Sequence, residues 1–472
     1  MAGNTYDFGM IGLGVMGRNL LLNMADHGFQ VIGFDTDNQK TTALQSAAGP
    51  DAKVKGASSL AEMVNSLSKP RRIMMLVPAG KPVDAVIASL LALVEPGDIV
   101  IDGGNSHYTD TLRRVLELHD KGIHFMGMGI SGGEKGARTG PSMMPGGDPA
   151  AWQSVKPILE AVAARAGTEQ SPCVAHMGRD AAGHYVKMVH NGIEYAIMQL
   201  ISETYMLLRH GAGLDNDELH KIYAEWNTGD LQSFLMEITA DIFLTRDDRG
   251  PGMLLDQVSD QAGSKGTGKW TSQDAMDLPV PVNVIDTAVS MRELSGFPDQ
   301  RLLASGLYAG LEKISYSRES WIELVRQSLH FATVISYAQG LTMLQSASKA
   351  LNMDVPLPEV ARIWRGGCII RSALLDLFYP AFLRNPKLKN LLLDADLAKQ
   401  LQGRDIALRQ VIAEAARTGY PVAGLMSALS YFDNYRLERM PTNLIQAQRD
   451  YFGAHTYQRT DIPGTFHTEW EP

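Results

Sequence analysis

In the run His184-Tyr-Val-Lys187-Met-Val-His190-Asn191-Gly-Ile-Glu194-Tyr195, four polar residues fall at i, i+3, i+4 and i+7. On a helix that spacing puts Lys187, His190, Asn191 and Glu194 on one face. Their neighbours Val186, Met188, Val189, Ile193 and Ile197 are apolar, so the helix is otherwise dressed for burial. A polar stripe on a buried helix is costly unless it lines a cavity. A lysine and a glutamate two turns apart suit a base and an acid acting on one small substrate, because burial moves both pKa values toward neutrality. A solvated face or a plain Lys–Glu pair is the competing reading. Upstream, Ser131-Gly132-Gly133 follows an apolar strand. Its consecutive amides and hydroxyl can hold a carboxylate, or form no more than a flexible turn.

A second constellation is Gly12-Leu13-Gly14-Val15-Met16-Gly17, a G-x-G-x-x-G turn between a predicted strand and a helix. The first glycine makes the turn, the second admits a pyrophosphate, the third lets helix and strand pack closely, and the helix N-terminus attracts the negative charge. Asp35 lies 18 residues past Gly17, at the end of the next strand. An acid there accepts from the adenine ribose hydroxyls of NAD, whereas an NADP site would want arginine. The run Asp35-Thr36-Asp37-Asn38-Gln39-Lys40 sets two carboxylates against a 2′-phosphate, with Lys40 as the one offsetting cation. The expectation is therefore NAD over NADP. The plainer alternative is that Asp35 or Asp37 caps a helix.

Gly263-Ser-Lys265-Gly266-Thr267-Gly268-Lys269-Trp270 nearly spells a Walker A loop, but Trp270 stands where the Mg²⁺-binding hydroxyl belongs. The preceding Leu254–Asp260 reads as helical rather than as a strand, so nucleotidase and kinase readings fail. A Gly/Lys/Thr loop still suits a plain phosphate. Arg292, on a helical run over Asp286–Leu294, and Arg449, near the C-terminus, are candidate partners, although a lone arginine is more often a surface cation.

These residues need a scaffold. Apolar strands are predicted at 6–11, 30–34, 72–77, 98–102 and 123–126, alternating with helices, which means a parallel sheet with helices on both faces. From about 184 to 440 the period is helical, the first helix ending at Gly211 and Gly213. Trp226, Gly229, Ser233 and Leu235 recur as Trp364, Gly367, Ser372 and Leu374, which suggests an internal duplication. Residues 440–472 read as a tail too apolar to dangle, docking on something such as a second subunit. The 472 residues carry 43 Lys and Arg against 52 Asp and Glu, a net charge of −9 that disfavours nucleic acid. No run is apolar and long enough for a membrane span, and no secretory leader is visible. Cys173 and Cys368 are the only cysteines, which fits a cytoplasmic location. No His/Cys/Asp cluster suggests a metal.

Over nearly its whole length the chain resembles the decarboxylating 6-phosphogluconate dehydrogenases. The matching stretches are Gly12–Leu20, Asp102–Ser106, Ser131–Gly147, Val186–Tyr195, Lys265–Trp270 and Asn443–His455. The resemblance implies a Rossmann-type α/β N-terminal domain with a parallel-rich sheet (1–181), a large all-α duplicated domain (182–438) and an extended C-terminal tail (439–472) that enters the partner's active site in a homodimer. It assigns the substrate carboxylate to Ser131, Gly132, Gly133 and the polar helix. Asn105, His190 and Asn191 would hold substrate hydroxyls or the nicotinamide. The phosphate would meet Tyr195, Lys265, Thr267 and Arg292, joined by Arg449 and His455 of the partner subunit. The loop Val77-Pro78-Ala79 would lie over the cofactor. Lys187 would be the base and Glu194 the acid in an oxidative decarboxylation of 6-phosphogluconate that needs no metal. Family members using NADP usually have Asn-Arg-Thr in place of Asp35-Thr36-Asp37, and often Lys at Pro78; Gly14 is Ala in many. These departures strengthen the NAD expectation, while NADP remains possible. The rival readings are a related β-hydroxyacid dehydrogenase acting on another small acid, disfavoured by the phosphate-binding residues, and a non-catalytic dinucleotide scaffold.

Overall fold

The computed structural model describes residues 5–50 and 52–470, so the outermost termini of the expected first and last segments lie outside the described residues. The first half is a seven-stranded sheet: β1 (Phe8–Ile11), β2 (Val31–Phe34), β3 (Val54–Gly56), β4 (Arg72–Met75), β5 (Ile99–Asp102), β6 (His124–Ser131) and β7 (Ser142–Gly147). The order is β3-β2-β1-β4-β5-β6-β7, all parallel except the β6–β7 pair. The central strands are apolar on both sides because helices cover both faces. One face buries Leu20, Leu21 and Met24 of the Val15–Asp26 helix with Val155 and Leu159 of a later helix; the other buries Val83, Ile87 and Leu118. The parallel register leaves the carboxyl ends of β1, β4 and β5 level, with Gly12, Leu76 and Gly103 just beyond them. The strand order reverses between β1 and β4, the place where α/β sheets open a ligand crevice.

The second half is helical. The Ala182–Met206 helix runs on into a wider turn over Leu207–Gly211 and packs along the 33-residue Arg318–Ala350 helix. The repeated segments face each other: Ser233 and Ser372 form an antiparallel bridge, flanked by Phe234 N–H donating to Arg371 O and Ala373 N–H to Gln232 O. Trp226 and Trp364 each end the helix before their half of this contact.

Several sequence-based expectations shift. The strand predicted at 123–126 extends to Ser131 and is joined by β7, whose Ser-Met-Met-Pro-Gly-Gly composition hides it. β3 was not expected, and β4 stops at Met75, leaving Val77 in a loop. Leu254–Gln257 is one short 3₁₀ turn instead of a helix. The tail is structured, with a Thr442–Gly453 helix followed by a small hairpin pairing Tyr457–Gln458 with Thr465–Phe466. Asp450 knits it by accepting from Thr456, Thr468 and Trp470.

Candidate active site

The polar face of the Ala182–Met206 helix is turned inward, against β6. A Cβ on Gly129 of β6 would stand 2.3 Å from the Cβ of Lys187, so the bare strand lets the lysine stem lie flat on the sheet. Lys187, His190 and Asn191 are buried, and the Glu194 side chain is 23% exposed. His190 is the hub. Its Nε2 is 3.1 Å from Ser131 Oγ, and its Nδ1 is 3.1 Å from Asn191 Oδ1, 3.3 Å from Lys187 Nζ and 3.8 Å from Glu194 Oε2. Ser131 Oγ also accepts from the Ile369 amide at 3.2 Å, which ties the Ser131-Gly132-Gly133 turn to the segment after the Leu357–Ile363 helix.

The electrostatics follow from burial. Burial pushes the Lys187 ammonium pKa down, against the pull of Glu194 and Cys368. Burial pushes the Glu194 carboxyl up, with Lys187 and Arg292 opposing. Burial, reinforced by Lys187, holds the His190 imidazole well below its ordinary value, so it is neutral. A lysine tending to the amine and a carboxyl tending to the acid are the complementary partners that proton transfer through one substrate needs.

One to two turns further on, the same helix meets a cationic loop. The Tyr195 ring lies beneath Arg292, whose guanidinium carbon is 3.5 Å from the ring centroid. Arg292 Nη1 reaches Gly263 O at 3.4 Å. Thr267 is buried as the first residue of the Thr267–Asp277 helix, which Thr271 fastens to the Ala182–Met206 helix by donating to Met188 O at 2.9 Å. Lys265 is exposed in the loop before it.

The glycine turn fits a dinucleotide. Gly12 has φ +92°, and a Cβ on Gly17 would sit 1.9 Å from Gly12 O, so both must be glycine. A Cβ on Gly14 would meet nothing within 4 Å, which leaves the turn open for a pyrophosphate. Leu13 is buried, while Gly14 and Val15 are exposed and Met16 half-buried on the rim. Val77 is half-buried, and Pro78, Ala79 and Asn105 are exposed, at the neighbouring strand ends. Arg114 braces both loops: it donates to Gly80 O, Asp84, Asp102 and Ser106, and Asp102 also accepts from Gly104 N–H and Ser106 Oγ.

Asp35 also braces the glycine turn. Only 8% exposed, it accepts from Leu13 N–H at 2.8 Å and Asp37 N–H at 3.0 Å, with Lys40 Nζ 3.4 Å away. Burial works against the charge, but the two amides and Lys40 outweigh it and hold the carboxyl below its usual range. Its oxygens brace the turn, and Thr36 and Asp37 are exposed beside it. Asp37 caps the next helix through Gln39 N–H.

Residues 7–178 match the NAD binding domain of 6-phosphogluconate dehydrogenase, and residues 183–470 match the C-terminal domain of 6-phosphogluconate dehydrogenase. The chain is 51% identical to the NADP(+)-dependent decarboxylating 6-phosphogluconate dehydrogenase of Bacillus subtilis, over 98% of each chain. It is 48% identical to the decarboxylating enzyme of Lactococcus lactis subsp. lactis, also over 98% of each. The chain belongs to the decarboxylating 6-phosphogluconate dehydrogenase family. It is an oxidoreductase with an NAD(P)-binding domain. The solved 6-phosphogluconate dehydrogenase of Plasmodium falciparum superposes with a TM-score of 0.95 at 40% identity, covering 98% of this chain and 100% of that one.

Within this one chain of the family, Arg449 and His455 stand apart from the other site residues. Arg449 bonds Gln446 and His455 packs on Phe452, all within the exposed tail. Sequence reasoning missed the backing layer. Trp364 meets His190 edge-on at 5.6 Å, and Ile369 holds Ser131. The Trp364 repeat signal marked this loop without revealing what it touches. Among the described residues, no cluster of His, Cys, Asp and Glu could hold a metal, and no helix is long and apolar enough to cross a membrane.

Proposed function

We propose that this enzyme converts 6-phospho-D-gluconate to D-ribulose 5-phosphate and CO2, with NAD as its preferred hydride acceptor. The observation that carries the reading is the Lys187–Glu194 pair, pushed toward opposite protonation states on one inward helix face. Lys187, as the neutral amine, takes the proton of the C3 hydroxyl as a hydride leaves C3. The nicotinamide, when bound, supplies the acceptor for that hydride. The resulting 3-keto acid loses its carboxyl group as CO2, because the ketone oxygen can take up the electron pair. Lys187 returns its proton to that oxygen, giving an enediol; Glu194 then protonates the carbon that becomes C1 of the product while Lys187 takes back the hydroxyl proton, leaving the ketone of ribulose 5-phosphate. Ser131, Gly132 and Gly133 orient the carboxylate, and Asn105, His190 and Asn191 hold hydroxyls or the nicotinamide. Tyr195, Lys265, Thr267 and Arg292 take the phosphate.

The NAD preference rests on the edge of β2. No arginine stands there, Asp37 adds a negative charge, and Lys40 is spent on Asp35. A 2′-phosphate would meet net repulsion. The name of the Bacillus relative is NADP(+)-dependent, so this preference would separate the two enzymes. Two copies are proposed to share each site. The Pro298–Leu307 helix exposes Leu302, Leu303 and Leu307 at 74, 71 and 79%, a surface that calls for a cover. Arg449 and His455 would then reach the phosphate of the neighbouring subunit. Parallel assays of 6-phosphogluconate oxidation with NAD and with NADP test the proposal: no reduction of either cofactor defeats the reaction, and a higher kcat/KM with NADP defeats the preference.

A further inference from the structure

Asp274 sits where three elements meet. It lies on the Thr267–Asp277 helix, is 8% exposed, and divides its carboxylate between two tyrosines. Tyr108, the first residue of the helix after β5, donates to Oδ1 at 2.5 Å. Tyr185, on the catalytic helix, donates to Oδ2. The two rings meet edge to face with centroids 4.9 Å apart. His107 stacks on Tyr108 and meets Trp270 edge-on, adding a second contact between the same two elements. The reaction proposed above uses none of these groups.

What they join is the whole length of the site. Tyr108 is three residues past Asn105, Tyr185 is two before Lys187, and Asp274 is seven past Thr267, about 10 Å along the helix axis. Before Asn105, Gly104 N–H donates to Asp102 at 3.0 Å, and directly after it Ser106 is fixed to the same carboxylate at 2.6 Å. The Asn105 loop is thus held to the sheet at one end and to the phosphate-side helix at the other. The phosphate residues all lie on helical-domain elements, and the cofactor residues lie on the sheet. The span between them depends on the ties across this seam, and hydrogen bonds to a carboxylate are among the stronger ones available.

We propose that Tyr108 and Asp274 form an interdomain clasp that sets the distance between the phosphate end and the reacting end of the bound sugar acid. Both are positioning residues, and the proposal rests on the reaction assigned under Proposed function. Tyr108→Phe keeps the ring and its stacking and removes one hydrogen bond. The expected result is a fall of about tenfold in kcat/KM for 6-phosphogluconate, since small misplacements of a substrate are costly. Competitive inhibition by inorganic phosphate, the KM for the cofactor and the melting temperature stay unchanged, because each end of the site remains whole. Asp274→Asn, which leaves one acceptor oxygen for the two tyrosine donors, lowers kcat/KM at least as far, and the double variant is no worse than Asp274→Asn alone, because the Tyr108 tie acts through Asp274. Unchanged kcat/KM in Tyr108→Phe overturns the clasp. So does a parallel weakening of phosphate inhibition, cofactor binding and thermal stability, which marks a general loss of structure. An unmodified enzyme inert toward 6-phosphogluconate would instead remove the reaction itself.

Discussion

Lys187 Nζ lies 3.3 Å from His190 Nδ1, and both side chains are buried on the same turn of one helix. A neutral imidazole beside it offers the lysine no countercharge, so the arrangement favours the amine. Lys187→Arg fixes a permanent positive charge at this point, and Lys187→Ala removes the base. Both are expected to lower kcat about 10²-fold or more at saturating substrate. Turnover near that of the unmodified enzyme would remove Lys187 from the mechanism.

The pH dependence of kcat/KM follows from the same burial. The proposed mechanism needs Lys187 deprotonated and Glu194 protonated. Burial lowers the first below its reference of 10.5 and raises the second above its reference of 4.5. The bell therefore has limbs drawn inward from both references. Glu194→Gln replaces one titrating group by a fixed amide. Its residual activity should rise with pH through the Lys187 titration and show no descending limb from residue 194. A bell identical to that of the unmodified enzyme would show that Glu194 does not titrate in the reaction.

At the cofactor edge, Asp35 and Thr36 should separate in their effects. Asp35→Ala removes the acceptor for Leu13 and Asp37 N–H, loosening the glycine turn itself. KM should rise for NAD and NADP alike. Thr36→Arg instead places a guanidinium at the exposed position beside the ribose and should raise kcat/KM for NADP about tenfold, leaving NAD little changed. Loss confined to NAD in Asp35→Ala would return Asp35 to direct ribose binding.

If two subunits share each site, mixed dimers report it. Lys187→Ala and Arg449→Ala homodimers are each impaired at every site. Refolding the two variants together yields heterodimers in which one site is doubly damaged and the other is whole. Recovered activity in the mixture, absent from either variant refolded alone, is the expected outcome. No recovery, with heterodimers verified by mass spectrometry, would place Arg449 outside the neighbouring site.

The grouping of Lys187, His190 and Asn191 was legible because helical spacing and apolar neighbours together allow one burial geometry. The alternation of strand and helix was equally plain, down to the place where the sheet gives way to helices. Asp35 was legible only in part, since spacing locates an acid at a strand end without saying that two backbone amides also donate to it. β7 escaped notice because Pro145, Gly146 and Gly147 read as loop, and only pairing with β6 makes them a strand. Asp274, in the run Ser272-Gln-Asp-Ala-Met276, looks like any surface acid until the fold brings Tyr108 to it from 166 residues away. The tail helix was hidden because its apolar residues Leu444, Ile445, Tyr451 and Phe452 face outward within a single chain.

Across the bridge between Ser233 and Ser372, the segments that carry the recurring Trp, Gly, Ser and Leu face each other, yet their tryptophans do different work. Trp226 packs against Tyr223 inside its own copy, whereas Trp364 abuts the imidazole that holds Ser131. One tryptophan serves its own helices and the other walls the site, so mutations at these matching positions should diverge. Damage at 226 will surface as fragility, and damage at 364 as slow turnover.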